Sequence, residues 1–287
     1  MTTTASPEWK MRFAPHIGLF SPDTPMFPES VGSLDPVAHI EFIADLGFAG
    51  IEDNALLLRS AEDVGRIGEA LGRRGLEMGC IAFGPESWID PLWTRSDEAT
   101  RAHLKAELTR AAEAVKRVNG RFVTVLSGRD PLMPLAMQLQ GMIENLRILA
   151  DEAERNGITL LIELLSNFDF PAMLINDFHD AYAVVMAVKH PSVRLMFDVF
   201  HVQAMNGNLL RNLDLTYDVV AMVQIADCPL RSEPGSGEIN YVNFLKHLQT
   251  KGYTGLVELE HGMSEPGMAG EQAALERLRE INRQLLG

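Results

Sequence analysis

The sequence predicts an α/β fold, a single (β/α)8 barrel of the TIM type formed by residues 1–287 as one domain. Three observations carry that expectation. Eight short apolar runs rich in β-branched residues alternate with longer stretches of helical period. Glycines recur where a helix ends and the next strand begins, and no proline-rich or charge-run linker divides the chain. An open doubly wound sheet is the alternative. A dinucleotide-binding version of it would want GxGxxG after the first strand, where this chain reads GLFSPDTP.

The strands are expected at HIGLF (16–20), FAGIE (48–52), EMGCIAF (77–83), RFVTVL (121–126), ITLLIEL (158–164), VRLMFDV (193–199), AMVQIAD (221–227) and LVELE (256–260). Gly47, Gly75, Gly120, Gly157 and Gly252 stand before strands, where a helix C-cap needs the left-handed backbone that glycine adopts without steric cost. DLGFAGIE and TKGYTGLVE share the order glycine, aromatic, small, glycine, strand, an internal repeat on the scale of one βα unit. Asp35 before Pro36 is an N-cap followed by proline at the first helical position, with Val37, Ile40, Ile43 and Ala44 on one face. The 59–74 segment lines up Val64, Ile67, Ala70 and Leu71, and 96–118 is a long, charged outer helix. Met142, Leu146 and Leu149 form a core stripe on another.

Composition narrows the class. At 46% hydrophobic and 22% charged residues the chain is an ordinary packed protein, which excludes general disorder. Acids outnumber bases 39 to 25, giving a net charge of -14, so neither nucleic acid nor an anionic membrane is an expected partner. A small-molecule substrate is, and a homo-oligomer is compatible with the sequence. Cys80 and Cys228 belong to no CxxC pair, and the start MTTTASPEWKMRF lacks an apolar signal core; a soluble cytoplasmic protein is expected.

Polar residues at four consecutive strand ends point to chemistry. A barrel strand should be apolar, and a buried acid is costly unless a metal or a partner compensates it. Glu163, Asp198, Gln224 and Glu260 each break the rule near the carboxyl end of a strand, the face where barrel active sites are built. Three carboxylates and an amide oxygen suit a hard divalent ion, Mg2+ or Mn2+, with Co2+ or Zn2+ as further candidates. Two of the carboxylates can also exchange protons with a substrate. For any one acid alone, an N-cap or surface role is the plainer explanation; four in register are harder to assign that way. Glu258 shares a strand face with Glu260, so one of them is a deeper structural residue, and Glu260 is chosen because it lies nearer the open end. Asp227 has the opposite parity to Gln224, which suggests a loop-orienting role.

Other candidates surround the same pole. His201, three residues past Asp198, and Arg231, opening the RSEPGSGEIN loop, are placed to contact substrate oxygens. His16 and Glu52, at the first two strands, are expected to line the far side, and Trp88 to stack on a small substrate. A satisfied loop histidine, a plain surface turn and an aromatic packed on the rim are the bland alternatives. His39, His103, His179, His190 and His247 lack ligand spacing and are read as structural.

IELL, FDVFH, VQIADCPLRSEPGSGEIN and GYTGLVELE resemble segments of the hydroxypyruvate isomerases, within the superfamily of xylose isomerase-like barrels that also holds ketose 3-epimerases and endonuclease IV-type enzymes. The similarity spans roughly residues 155–262 and is architectural before that. It implies Glu163, Asp198, Gln224 and Glu260 as ligands of one divalent metal, and Glu163 and Glu260 as an acid/base pair on opposite sides of the substrate carbon. His201 and Arg231 would contact substrate oxygens. The implied reaction is isomerisation of a small α-hydroxy carbonyl compound, of the hydroxypyruvate or tartronate semialdehyde type, by proton transfer through an enediolate. A ketose 3-epimerase, or a lyase acting on a keto-sugar or keto-glycoside, would use the same site. The chain departs from the isomerase pattern at LLSNFDFPAML, at LEHG and at DNALLLRSAED, which form the substrate side. A nuclease would need a histidine-rich multimetal cluster and a basic face, and a non-catalytic binder would have lost an acid that this chain keeps. No glycine-rich phosphate cradle is evident beyond EPGSG, which disfavours phosphorylated substrates.

Overall fold

Hydrogen bonds between sequential neighbours turn the alternating segments into a closed barrel. The computed structural model describes residues 8–86 and 88–285. Its strands are β1 (Arg12–Pro15), β2 (Gly50–Ile51), β3 (Glu77–Met78), β4 (Cys80–Ala82), β5 (Phe122–Val125), β6 (Thr159–Ile162), β7 (Val193–Asp198), β8 (Val220–Ile225) and β9 (Leu256–Leu259). Seven make a parallel sheet in the order β1-β9-β8-β7-β6-β5-β4, and β2 pairs in parallel with β3. The amides of Ala49 and Glu52 donate to the carbonyls of Phe13 (3.0 Å) and Pro15 (3.1 Å), joining β2 to β1. Those of Glu77 and Gly79 donate to Ala49 (3.0 Å) and Ile51 (2.8 Å), joining β3 to β2. With β3 and β4 as one position broken at Gly79, eight strand positions close the ring, each returned to the same end by the intervening helix.

Two expectations need correcting. The first strand is residues 12–15, not 16–20: only His16 continues it, by a single bridge to Glu52, and after Gly18 the chain turns back with the Leu19 amide on the Thr24 carbonyl. A Cβ on Gly18 would lie 2.5 Å from Asp53 Oδ1, so the turn closes on the end of β2 only because residue 18 has no side chain. The left-handed residue before β5 is Asn119, at φ 52°, rather than Gly120. Gly47 and Gly252, the matching glycines of the repeat, are both left-handed, at 78° and 74°.

The helices start as their caps dictate. Asp35, Ser60 and Asp97 accept from the amides of Val37, Asp63 and Thr100, opening helices Pro36–Asp45, Ala61–Arg74 and Glu98–Arg117. In the helix Leu135–Arg155, Met142, Leu146 and Leu149 face the core.

Strand parity sets what fills the barrel. Ala14, Cys80, Phe122, Leu161, Met196, Met222 and Leu256 form one apolar layer inside the ring. Two residues further along, the same faces carry His16, Ala82, Thr124, Glu163, Asp198, Gln224 and Glu258. The lumen therefore passes from hydrocarbon to a polar layer in one repeat of the pleat, towards the carboxyl ends of the strands. Gly79 opens room there, since a Cβ on it would stand 2.0 Å from Glu258 Oε1.

Candidate active site

The four polar strand ends meet in this upper layer. Asp198 is the register partner of Gln224, and Gln224 that of Glu258, so β7, β8 and β9 present them side by side. One ligand atom from each of Glu163, Asp198, His201 and Glu260 lies within 4.8 Å of every other, and all four residues are buried. Such a set of oxygen and nitrogen donors can hold a metal ion.

Hydrogen bonding separates ligands from supports. Among the described residues, Glu163 Oε1, Asp198 Oδ2, Gln224 Oε1 and His201 Nε2 are buried without a hydrogen-bond partner. Buried polar groups are seldom left so, and three of these residues, Glu163, Asp198 and His201, belong to the one cluster. His201 differs from the other three. Its Nδ1 accepts the Ser166 amide at 3.0 Å, so in the neutral ring Nε2 carries the hydrogen and is a donor. Burial, and then the charge of Arg231, holds the imidazole well below its ordinary pKa and therefore neutral. That tautomer fits a contact to a substrate oxygen rather than metal ligation. The second atoms of Asp198 and Gln224 are committed: Asp198 Oδ1 caps the next helix by accepting the His201 amide at 3.0 Å. Gln224 Nε2 donates to Glu52 Oε1 at 3.1 Å, while its carbonyl oxygen stays unpartnered.

Below lies a second layer that the sequence reading missed in part. Asn54 Nδ2 bridges Glu52 Oε1 (2.9 Å) and Glu260 Oε1 (2.7 Å). Glu258 accepts the Cys80 amide at 2.6 Å and the Cys80 thiol at 3.2 Å, the deep structural role weighed for it. Glu52, expected to line the pocket, is instead fully buried and absent from its lining, and its Oε1 accepts from Gln224 and Asn54. Asn54 was within reach of the parity argument, two residues after Glu52, and Thr124 likewise, two after Phe122; neither is an acid in a hydrophobic run, so neither stood out.

Crowded carboxyls in a desolvated lumen bind protons tightly. Burial raises Glu163 well above the carboxylate range, with the charge of Glu260 adding to it. The same two causes lift Asp198 to about 7. Burial lifts Glu258 to about 8 and Glu52 well above its usual value. A cation at this point would offset the repulsion that these shifts express.

The pocket above is lined by Glu163, Glu260, Arg231, Asn54 and Thr124 together with Leu19, Phe20, Ala82, Pro85, Trp88, Leu126, Leu165 and Phe170. Arg231 reaches it from a left-handed backbone position (φ 52°), pairs with Glu260, and stands 5.7–5.9 Å from the rings of Phe20, Phe170 and Phe200. Its loop is pinned: Asp227 accepts the amides of Gly235 (2.8 Å) and Ile239 (3.0 Å), the orienting role its parity suggested. Trp88 lines the wall, edge-on to Phe170 at 5.8 Å. His16 does not line this pocket. Its Nε2 meets the His261 carbonyl at 3.2 Å, and it opens on an adjoining cavity with Thr24 and Ser264, because the turn after Gly18 puts Leu19 and Phe20 between the two.

Comparison with known proteins agrees with this architecture. The family described as xylose isomerase-like TIM barrel matches residues 40–281. Hydroxypyruvate isomerase of Escherichia coli (strain K12) is 27% identical over 237 residues, covering 80% of this chain and 89% of that protein. A solved structure described as AP endonuclease, family 2, from Brucella melitensis superposes with a TM-score of 0.79 at 25% identity, covering 91% and 96% of the two chains. The apo form of 3-keto-D-glucoside 4-epimerase from E. coli gives 0.75 at 22% identity, covering 94% of this chain and 100% of that one. The chain belongs to the xylose isomerase-like TIM barrel family.

Proposed function

We propose that this protein is a divalent-metal-dependent isomerase of a small α-hydroxy carbonyl compound, of the hydroxypyruvate or tartronate semialdehyde type. The observation that carries the reading is the cluster of Glu163, Asp198 and Glu260, with unpartnered buried oxygens on Glu163, on Asp198 and on Gln224, the register partner of Asp198. These four residues would hold one ion, Mg2+ or Mn2+ by the chemistry of an all-oxygen donor set. Bound there, the ion would polarise a carbonyl and its neighbouring hydroxyl and so acidify the proton on the carbon between them.

The chain's own groups would do the rest. Glu163 and Glu260 both line the pocket, and each can take a proton from carbon or return one, giving an enediolate between the two transfers. Arg231 pairs with Glu260, and its buried, unpartnered Nε is free for a substrate oxygen. His201 would donate through Nε2. The aromatic wall shields the reacting end from bulk water.

Return of the proton to the opposite face, rather than to the neighbouring carbon, would make the same site an epimerase. Its support is the pair of pocket acids together with the likeness to the glucoside epimerase fold. Proton NMR in D2O with hydroxypyruvate, tartronate semialdehyde and free ketoses tests both readings. Chelator-sensitive deuterium uptake next to the carbonyl is expected, and the product separates isomerase from epimerase or lyase. Metal-loaded protein that exchanges none of these would sink the proposal for this substrate class.

A further inference from the structure

We propose that the substrate is apolar at the end remote from its reacting carbons: an α-hydroxy carbonyl compound bearing an aromatic or aliphatic group in place of a chain of hydroxyls. The inference rests on the enolisation reading above, keeps its α-hydroxy carbonyl end, and replaces the carboxylate end of the hydroxypyruvate type by an apolar group in the outer part of the same pocket. The polar lining of that pocket is Asn54, Thr124, Glu163, Arg231 and Glu260, and most of it is already engaged. Asn54 bridges two glutamates and Arg231 pairs with Glu260; among the described lining residues, Arg231 Nε, Thr124 Oγ1 and Glu163 Oε1 are buried without a partner. Those groups, with His201 Nε2, are enough for the oxygens of one carbonyl and one neighbouring hydroxyl.

The remaining wall is hydrocarbon. Phe20, Trp88, Leu126, Leu165 and Phe170 supply most of it. Phe170 links the reacting end to the mouth, standing 6.0 Å from the His201 ring and 5.8 Å from Trp88. Phe20, part of this wall, is itself 60% exposed. Hydroxyls on the distal carbons of a free ketose would lose water against this wall and find neither donor nor acceptor. An aromatic ring there would gain from leaving water and from edge-to-face contact with Trp88 and Phe170.

The test compares two ketones that share a 1-hydroxy-2-one end, erythrulose and 1-hydroxy-4-phenylbutan-2-one, on the Mg2+-loaded protein in D2O, with deuterium uptake read at C1 of each. The phenyl compound should show a kcat/KM for deuterium uptake at least about 10-fold higher, the gain expected from burying a ring. In Trp88→Ala and in Leu165→Ala the ratio should fall towards one. Saturation-transfer NMR reads binding independently of turnover, and the phenyl protons should receive saturation from the protein. Exchange on erythrulose with no preference for the phenyl compound would overturn the inference and leave the enolisation reading standing. Phenyl saturation with no exchange on either ketone would support the apolar subsite and count against enolisation. Absence of both saturation and preference would overturn the inference.

Discussion

The two halves of the barrel differ in what they place one pleat above the apolar layer. β6 to β9 carry Glu163, Asp198, Gln224 and Glu258, with Glu260 one repeat further on; β1, β4 and β5 carry His16, Ala82 and Thr124 at the same height. The later half thus concentrates charge, and the earlier half answers it with neutral groups. Glu52, at the end of β2, looks like an exception, but its carboxyl accepts from Gln224 and Asn54 and serves the later half's residues from beneath. The difference teaches that one side of the ring would bind and react, while the other orients its side chains and shapes an apolar wall.

The largest effect should come from the pocket acids. Glu163→Gln and Glu260→Gln are each expected to lower turnover by about 10^3-fold, within the range for losing a positioned acid or base. Steady-state kinetics on metal-loaded variants checks this, and near-normal kcat in either would remove that residue from proton transfer.

A second prediction concerns support across the halves. Glu52→Gln can turn its amide nitrogen towards the Gln224 nitrogen and lose that hydrogen bond, so the Gln224 carbonyl would no longer be fixed. Metal affinity should weaken by roughly 10–100-fold, as for other outer partners of ligands. Titration calorimetry measures it, and unchanged affinity would show that the early half is a passive wall.

Stability against pH sharpens the contrast further. Glu258 is raised by burial to about 8 from an ordinary 4.5, so between these values the folded chain holds a proton that the unfolded chain has lost. Its contribution is therefore complete below pH 4.5 and falls as pH rises towards 8, by at most about 1.4 kcal/mol per pH unit. In chelator-treated protein, Glu258→Gln should flatten the fall in urea-unfolding free energy between pH 5.5 and 7.5. An unaltered slope would place the proton elsewhere in the lumen.

The smallest effect is expected at His16, which lies across Leu19 and Phe20 from the pocket. His16→Asn should change kcat/KM by less than about 5-fold, the outcome for a group outside reach of the reacting atoms. A loss as large as that of Glu163→Gln would mean that the adjoining cavity takes part in the reaction.

Much of this was legible in the sequence because the signals were violations of a simple pattern. An acid at the end of ITLLIE or RLMFD is conspicuous in hydrocarbon, and the place of Glu163, Asp198, Gln224 and Glu260 at the carboxyl ends of neighbouring strands puts them around one pole. The first strand was misplaced because RFAP has an arginine and a proline, while HIGLF reads as more strand-like; Pro15 stays in β1 since its carbonyl, not its missing N–H, carries the bond to β2. Asn54, Thr124 and Cys80 stayed hidden for the opposite reason. They are ordinary residues at strand ends, and only the closing of the ring brings Cys80 to Glu258, 178 positions away. Phe20 and Phe170 come from separate loops whose meeting around Arg231 no local pattern encodes.

The most direct test of the central claim is the metal stoichiometry of the purified protein and of Asp198→Ala. Asp198 supplies an unpartnered oxygen to the cluster and does not line the pocket, so its loss reads metal binding with little direct effect on substrate contacts. We predict about one divalent ion per chain in the unaltered protein and a large loss in a folded Asp198→Ala variant. Full retention of the ion by that variant, or no bound ion in the unaltered protein after incubation with Mg2+ or Mn2+, would contradict the account.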